Sequence, residues 1–274
     1  MKFKRSERLV DMTALLLANP HKLFTMNDFT TKYNSAKSSI SEDVAILSET
    51  FSSQDLGKVN TYPGVNGGFK YIPYISIAKQ AKFVDEICEL LYAQDRILPG
   101  GYMYISDLIE DPKVLKKIGR IIASYHADEH VDYVMTVATK GIPIAQAVSY
   151  ELNIPMIIAK KESKVTEGST LSVKYTSQSS PKLVKSMEVV QDSIKPASKI
   201  ILVDDFLRGG GTLVGMNKLV EIFESTVIAQ YILCENLEKN QLPVENVRSL
   251  ITIENLESES NISDLKISRG SLFR

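Results

Sequence analysis

Apolar positions Leu9, Met12, Leu16 and Leu17 recur at helical spacing over residues 6–18, and Asn19-Pro20 stops the pattern. Thr25 followed three residues later by Asp28 predicts an N-cap and a second helix over 26–33, ended by Asn34. A third, opened by Ser35, runs to about Phe51 with Ile40, Val44 and Leu47 on one face. The rhythm then changes to two short runs, 59–63 and 69–73, around Val65-Asn66-Gly67-Gly68, where Asn-Gly signals a hairpin. Three short helices and a hairpin predict a winged helix-turn-helix. A longer helix is predicted over 76–98, with Ile77, Ala81, Val84, Cys88 and Leu91 as its apolar stripe and Pro99-Gly100-Gly101 as its stop. Pro112 opens another to about Tyr125. Strands over 133–138, 155–159, 200–203 and 227–234 then alternate with helices over 142–152 and 212–224, which predicts an α/β domain with a mainly parallel sheet. The expected boundary lies near Pro73, giving a winged-helix domain over 1–73 and an α/β domain over 74–274.

The 274 residues give a formal net charge of −1, but its distribution is uneven. Residues 1–40 carry seven basic and three acidic side chains, a net +4, whereas residues 75–274 carry a net −3. No apolar run approaches the roughly 18 residues of a membrane span, and the basic start lacks the apolar stretch of a signal peptide. Cys88 and Cys234 sit in apolar-periodic segments, and three histidines form no convincing ligand set, so no metal centre is predicted. A cytoplasmic chain is expected. The exposed start of the third helix offers Lys37, Ser38, Ser39 and Ser41, short donors and one cation that suit a major groove. Lys2, Lys4, Arg5 and Arg8 add phosphate-neutralising charge at the front, and Lys58 and Lys70 add it on the wing with Asn60 and Asn66. Each face also reads as plain solvated surface; their combination favours double-stranded DNA as partner.

The stretch from Ile200 to Thr212 carries the chemistry: an apolar strand, then Asp204-Asp205-Phe206-Leu207-Arg208, then Gly209-Gly210-Gly211-Thr212 entering a helix. Paired carboxylates at a strand's end can accept hydrogen bonds from ribose hydroxyls. Glycines let the backbone approach closely, and helix-start amides favour a phosphate. Arg208 can add a cation and Thr212 a hydroxyl. The strand over 134–138 leads through Ala138, Thr139, Lys140 and Gly141 into a helix, a second position for a diphosphate. Residues 160–185 hold six lysines, two glutamates and nine Ser/Thr with little to bury, which predicts a mobile loop or hairpin. Tyr102 could stack on a base; core packing explains it nearly as well, and Phe206 shares that ambiguity.

The acid pair, triple glycine and Thr resemble the phosphoribosyl pyrophosphate (PRPP) motif of type I phosphoribosyltransferases, and Ala138–Gly141 resembles the family's pyrophosphate loop. Lys160 and Lys161 resemble the cations that meet the pyrophosphate in relatives. Together with the winged helix, the whole chain resembles the purine operon repressors of Gram-positive bacteria, including Val165-Thr166-Glu167-Gly168-Ser169-Thr170 in the long loop. That resemblance implies a type I phosphoribosyltransferase fold used as a PRPP sensor rather than an enzyme. It implies a homodimer that binds palindromic operators of purine genes and lets go when PRPP, with or without Mg2+, is bound. A ribonucleotide carrying a diphosphate within reach of both loops, such as guanosine tetraphosphate, could compete and keep repression on. The rival reading is a catalytic purine phosphoribosyltransferase similar to the xanthine and adenine enzymes. Gly209, where such enzymes often present Thr or Ser to the phosphate, speaks against it. A third reading makes the basic front an RNA-binding or activator module.

Overall fold

A computed structural model describes residues 3–64, 67–92, 96–161, 168–177, 180–237, 244–256 and 265–274. The chain divides into two compact units: Met1–Ser76 with Arg120–Glu129 and Tyr150–Asn153, and Ile77–Gly119 with His130–Ser149 and Ile154–Arg274. Among the described residues no helix is long and apolar enough to cross a membrane.

In the first unit, α1 (Arg5–Ala18), α2 (Met26–Tyr33) and α3 (Lys37–Ser53) are followed by the antiparallel hairpin β1 (Lys58–Tyr62) and β2 (Gly68–Ile72). Its core is aromatic: Phe29 stacks on Phe69 at 5.3 Å and on Tyr33 at 5.8 Å, with Met12, Leu16, Ile40 and Phe51 buried alongside. Thr25 caps α2 as expected: its Oγ accepts from the Asp28 amide at 3.2 Å while the Asp28 carboxylate accepts from the Thr25 amide at 2.7 Å. Ser35 does not cap α3. That helix starts at Lys37 behind Ala36, and the Ser35 hydroxyl instead donates to the Tyr33 carbonyl at 3.2 Å, closing the end of α2 beside left-handed Asn34. Val65 and Asn66 of the turn lie outside the described residues, but the register Tyr62↔Gly68 through Lys58↔Ile72 is that of the expected hairpin.

The second unit contains α4 (Ile77–Leu91), β3 (Ile97–Leu98), β4 (Tyr102–Met103), α5 (Ser106–Glu110), α6 (Pro112–Ser124), β5 (Tyr133–Val137), α7 (Gly141–Leu152) and β6 (Met156–Ala159). It continues with β7 (Thr170–Ser177), β8 (Ser180–Val190), β9 (Lys199–Leu207), α8 (Gly211–Ile222), β10 (Thr226–Asn236), β11 (Val247–Glu254) and β12 (Lys266–Arg269). The last turns of α6 and α7 belong to the first unit. The six-stranded sheet has the order β12-β11-β10-β9-β5-β6, parallel throughout except for antiparallel β12. Its central strands are buried on both faces, as the continuous apolar runs require.

Three expectations are corrected. The helix predicted to Leu98 ends at Leu91, and Ile97–Leu98 pairs antiparallel with Tyr102–Met103. Pro99-Gly100-Gly101 is therefore a hairpin turn, with Gly100 and Gly101 at φ +82° and +71°, where glycine alone is unstrained. Ile77 is exposed rather than part of the buried stripe, because it occupies the first position of α4. Of the two forms expected for 160–185, a hairpin forms, but it does bury side chains: Val173 and Tyr175 of β7 and Met187 and Val189 of β8 enter the core. Residues 162–167, which hold the first half of the Val165–Thr170 segment, lie outside the described residues.

Candidate functional site

β9 is hydrogen-bonded to β5 on one side and β10 on the other, so the end of its buried run Ile200–Val203 is fixed in space. The strand extends through the acid pair to Leu207 rather than ending at Val203. Asp204 is 7% exposed, and its carboxylate accepts from the Asp205 amide at 3.0 Å. Burial and then the neighbouring Asp205 charge hold the Asp204 carboxyl well above the ordinary carboxylate range, with Lys161 acting in the opposite direction.

Beyond β9 the chain turns at Gly210, φ +69°, into α8. The first intrahelical bond runs from the Val214 amide to the Gly210 carbonyl, so the amides before it point out of the helix start beside the positive end of its dipole. A cleft of about 420 Å3 opens there, lined by Ala138, Thr139, Lys140, Lys161, Asp204, Asp205, Phe206, Thr212 and Tyr102, with Leu98, Pro99, Met103 and Val137. A recess of about 80 Å3 beside it is lined by Leu207 through Thr212, with Tyr102, Tyr175, Lys161 and Lys185. The peptide between Ala138 and Thr139 is cis.

Gly141 is placed behind the cleft rather than in its lining. A Cβ there would meet Thr136 Oγ1 at 2.2 Å and Asp204 Oδ1 at 3.1 Å, so α7 starts against the acid pair. Lys160 pairs its backbone with Glu188, its amide donating at 2.9 Å, and lines neither cavity. Arg208, expected to offer its charge to a phosphate, donates from Nη1 to the Gly100 carbonyl and lies 5.6 Å from the Tyr102 ring. It therefore ties the glycine loop to the Pro99–Gly101 turn. Tyr102 and Phe206 meet at 5.4 Å and 44°, which makes an aromatic wall over the acid pair.

In the first unit, Lys37, Ser38 and Ser41 are exposed at the start of α3, and Ser39 is half-buried. A groove of about 440 Å3 runs beside them, lined by Thr25, Met26, Asn27, Lys37 and the hairpin residues Thr61, Tyr62, Pro63, Gly64, Gly67 and Gly68. Lys70 lies over the Tyr62 ring at 4.9 Å and Lys58 over the Tyr74 ring at 3.5 Å. Lys4 is exposed, and Lys2 lies outside the described residues. Arg5 and Arg8 differ from the expectation. Both reach the fully buried Asp43 of α3, Arg8 Nε at 2.7 Å and Arg5 Nε at 3.1 Å; the largely buried Arg8 fixes α1 to α3, while Arg5 stays half exposed and also meets Glu42 at 3.3 Å.

The model of the bacterial purine repressor N-terminal domain matches residues 4–73, and the phosphoribosyl transferase domain model matches residues 105–267. The purine biosynthesis transcriptional repressor PurR of Bacillus subtilis (strain 168) is 42% identical over 274 residues, which is 100% of this chain and 95% of that protein. The chain belongs to the PurR family of purine biosynthesis transcriptional regulators. Residues 4–73 are the family's DNA-binding domain, and DNA is the chain's partner. The PurR family includes activators: the Lactococcus lactis subsp. lactis (strain IL1403) protein of that name is 39% identical, covering 98% of each chain. The fold of the second unit is that of adenine phosphoribosyltransferase from Thermoanaerobacter pseudethanolicus, TM-score 0.52 at 22% identity, over 60% of this chain and 99% of that one.

Sequence reasoning missed Tyr175 and Lys185 in the recess beside the cleft. They are direct partners across β7 and β8, so their side chains share the face that folds onto α8. The period-2 apolar alternation of Val173, Tyr175, Met187 and Val189 was the available signal.

Proposed function

We propose that this regulator senses PRPP: the cleft binds it, and binding releases a dimer from palindromic operator DNA of purine genes. The carrying observation is that the acid pair, the start of α8 and the Ala138–Lys140 loop open on one cleft. Asp204 and Asp205 accept the ribose hydroxyls. The first amides of α8 with Thr212 hold the 5′-phosphate, while Thr139, Lys140 and Lys161 meet the pyrophosphate. Magnesium would arrive with the ligand. Asp204 and Asp205, which line the cleft together, are the residues that would hold it, and it would supply charge to offset the pyrophosphate. Lys37, Ser38 and Ser41 face the major groove, with Lys58 and Lys70 on the flanking phosphates. Arg8 is not among the DNA contacts, being paired with Asp43.

Release follows from linkage: if the DNA-bound form holds PRPP less well, PRPP weakens DNA binding by the same factor. Guanosine tetraphosphate carries a diphosphate and a base, and the Tyr102–Phe206 wall suits the base, so it competes for the cleft and sustains repression. Calorimetric titration with PRPP and Mg2+ tests the site, and incubation with PRPP and each purine base tests the sensor role. Binding without nucleotide formation is expected; rapid turnover would overturn the sensor reading.

A further inference from the structure

α6 and α7 each begin in the second unit and finish in the first. They approach closely at Gly119, where a Cβ would stand 2.6 Å from the Ala147 carbonyl oxygen. Backbone this close leaves no room for one helix to slide without carrying the other. At its start, α7 abuts the acid pair through Gly141. Its 12 residues rise about 18 Å at the usual 1.5 Å per residue. Its last turn presents Glu151, which is buried.

Arg120 follows Gly119 in α6 and gathers three groups of the first unit. Its Nε donates to Glu151 Oε2 at 3.2 Å, and its Nη2 donates to the Leu56 carbonyl at 3.0 Å and to the Tyr71 hydroxyl. The Tyr71 hydroxyl in turn donates to the Leu56 carbonyl at 2.7 Å. Tyr71 is 1% exposed in wing strand β2 and meets Phe51 of α3 edge-on at 5.3 Å. The wing and the end of α3 are thereby tied by a charged, desolvated network to the last turn of α7. Such networks have few acceptable geometries, since each buried polar group must stay paired.

We propose that Glu151, Arg120 and Tyr71 form the latch that couples occupancy of the cleft to DNA affinity. They act as positioning residues: a diphosphate on the Ala138–Lys140 loop bears on the start of α7, and the latch converts the response of α7 into a change at the wing. This rests on the PRPP-sensing reading above.

The test uses the full chain carrying Tyr71→Phe or Glu151→Gln. The first removes only a hydroxyl and keeps the ring on Phe51; the second keeps the shape and removes the charge. Three quantities are measured: operator-DNA affinity without ligand, PRPP affinity without DNA, and the ratio of DNA affinities without and with saturating PRPP and Mg2+. Allosteric couplings commonly span about 5- to 150-fold. Both variants should keep the first two quantities within about twofold of wild type, while the ratio falls at least fivefold toward one. A ratio equal to that of wild type in both variants overturns the latch. So does loss of DNA affinity or thermal stability with the ratio intact, the signature of a merely structural role. A wild-type ratio of one would instead remove the PRPP-sensing reading and the latch with it.

Discussion

Replacing Asp43 by Ala in the full chain isolates what holds α3 in place. The carboxylate is fully buried and meets Arg8 Nε at 2.7 Å, and the Arg8 side chain is only 11% exposed. Removing the carboxylate leaves that guanidinium largely desolvated and unpaired by Asp43. Breaking a buried pair in this way costs about 3–5 kcal/mol. The residual exposure of Arg8 places the value near the lower end, about 3 kcal/mol. Arg5 adds little, because its side chain is half exposed and such surface pairs contribute about 0–1 kcal/mol. Asp43→Asn retains an acceptor of the same shape and should cost about half as much, since charge-assisted hydrogen bonds are roughly twice as strong as neutral ones. Native-state hydrogen exchange on peptides of α1 and α3 reads the loss directly. About 3 kcal/mol corresponds to roughly a hundredfold lower protection. Operator affinity should fall as α3 loses its tie to α1. A cost below about 1 kcal/mol for Asp43→Ala would refute the desolvated anchor and return Arg8 to the pool of cations available to DNA.

Asp204→Asn should weaken PRPP binding at least tenfold in calorimetry while leaving operator affinity unchanged. The same variant should change the pH dependence of stability. Because the folded pKa of Asp204 is raised, the unfolded chain releases its proton first, and stability falls as pH rises above the ordinary carboxyl value of about 4. Urea unfolding from pH 4 to 8 should show a flatter decline in Asp204→Asn than in wild type. Tyr102→Ala should weaken competition by guanosine tetraphosphate in PRPP displacement, by the roughly 1–3 kcal/mol of one base stack, and leave the affinity of baseless PRPP within about twofold.

Legibility in the sequence followed the range of the forces involved. The three helices and hairpin of the first unit, α6, α7, α8, the parallel strands β5, β6, β9 and β10 and the placement of the acid pair beyond the apolar run of β9 were readable because they are set by local periodicity and turn chemistry, whereas α5, β11 and β12 were not predicted. Asp204, Asp205, Lys140, Lys161 and Thr212 needed only a strand end and a helix start to be found, and the cleft brings them together. What was not readable depends on residues distant in sequence. Arg5 and Arg8 look like free cations until Asp43, more than thirty residues later, is seen between them. Arg208 lines the recess as its place in the motif suggests, but the carbonyl of Gly100, over a hundred residues earlier, which its Nη1 meets, was not readable. Lys185 and Tyr175 enter the recess only because the β7–β8 hairpin folds onto α8, and a lysine-rich, Ser/Thr-rich run conceals the four apolar side chains that make it do so. Ile97-Leu98 continued a helical pattern, yet two adjacent glycines with positive φ offered a hairpin instead.

The most direct measurement is an operator-DNA titration of the purified full chain, at fixed salt and Mg2+, with and without PRPP. Affinity should fall by at least about fivefold when PRPP saturates the cleft, and guanosine tetraphosphate should restore it. Identical DNA affinity at every PRPP concentration would contradict the assignment of the Asp204–Asp205 cleft as the sensor.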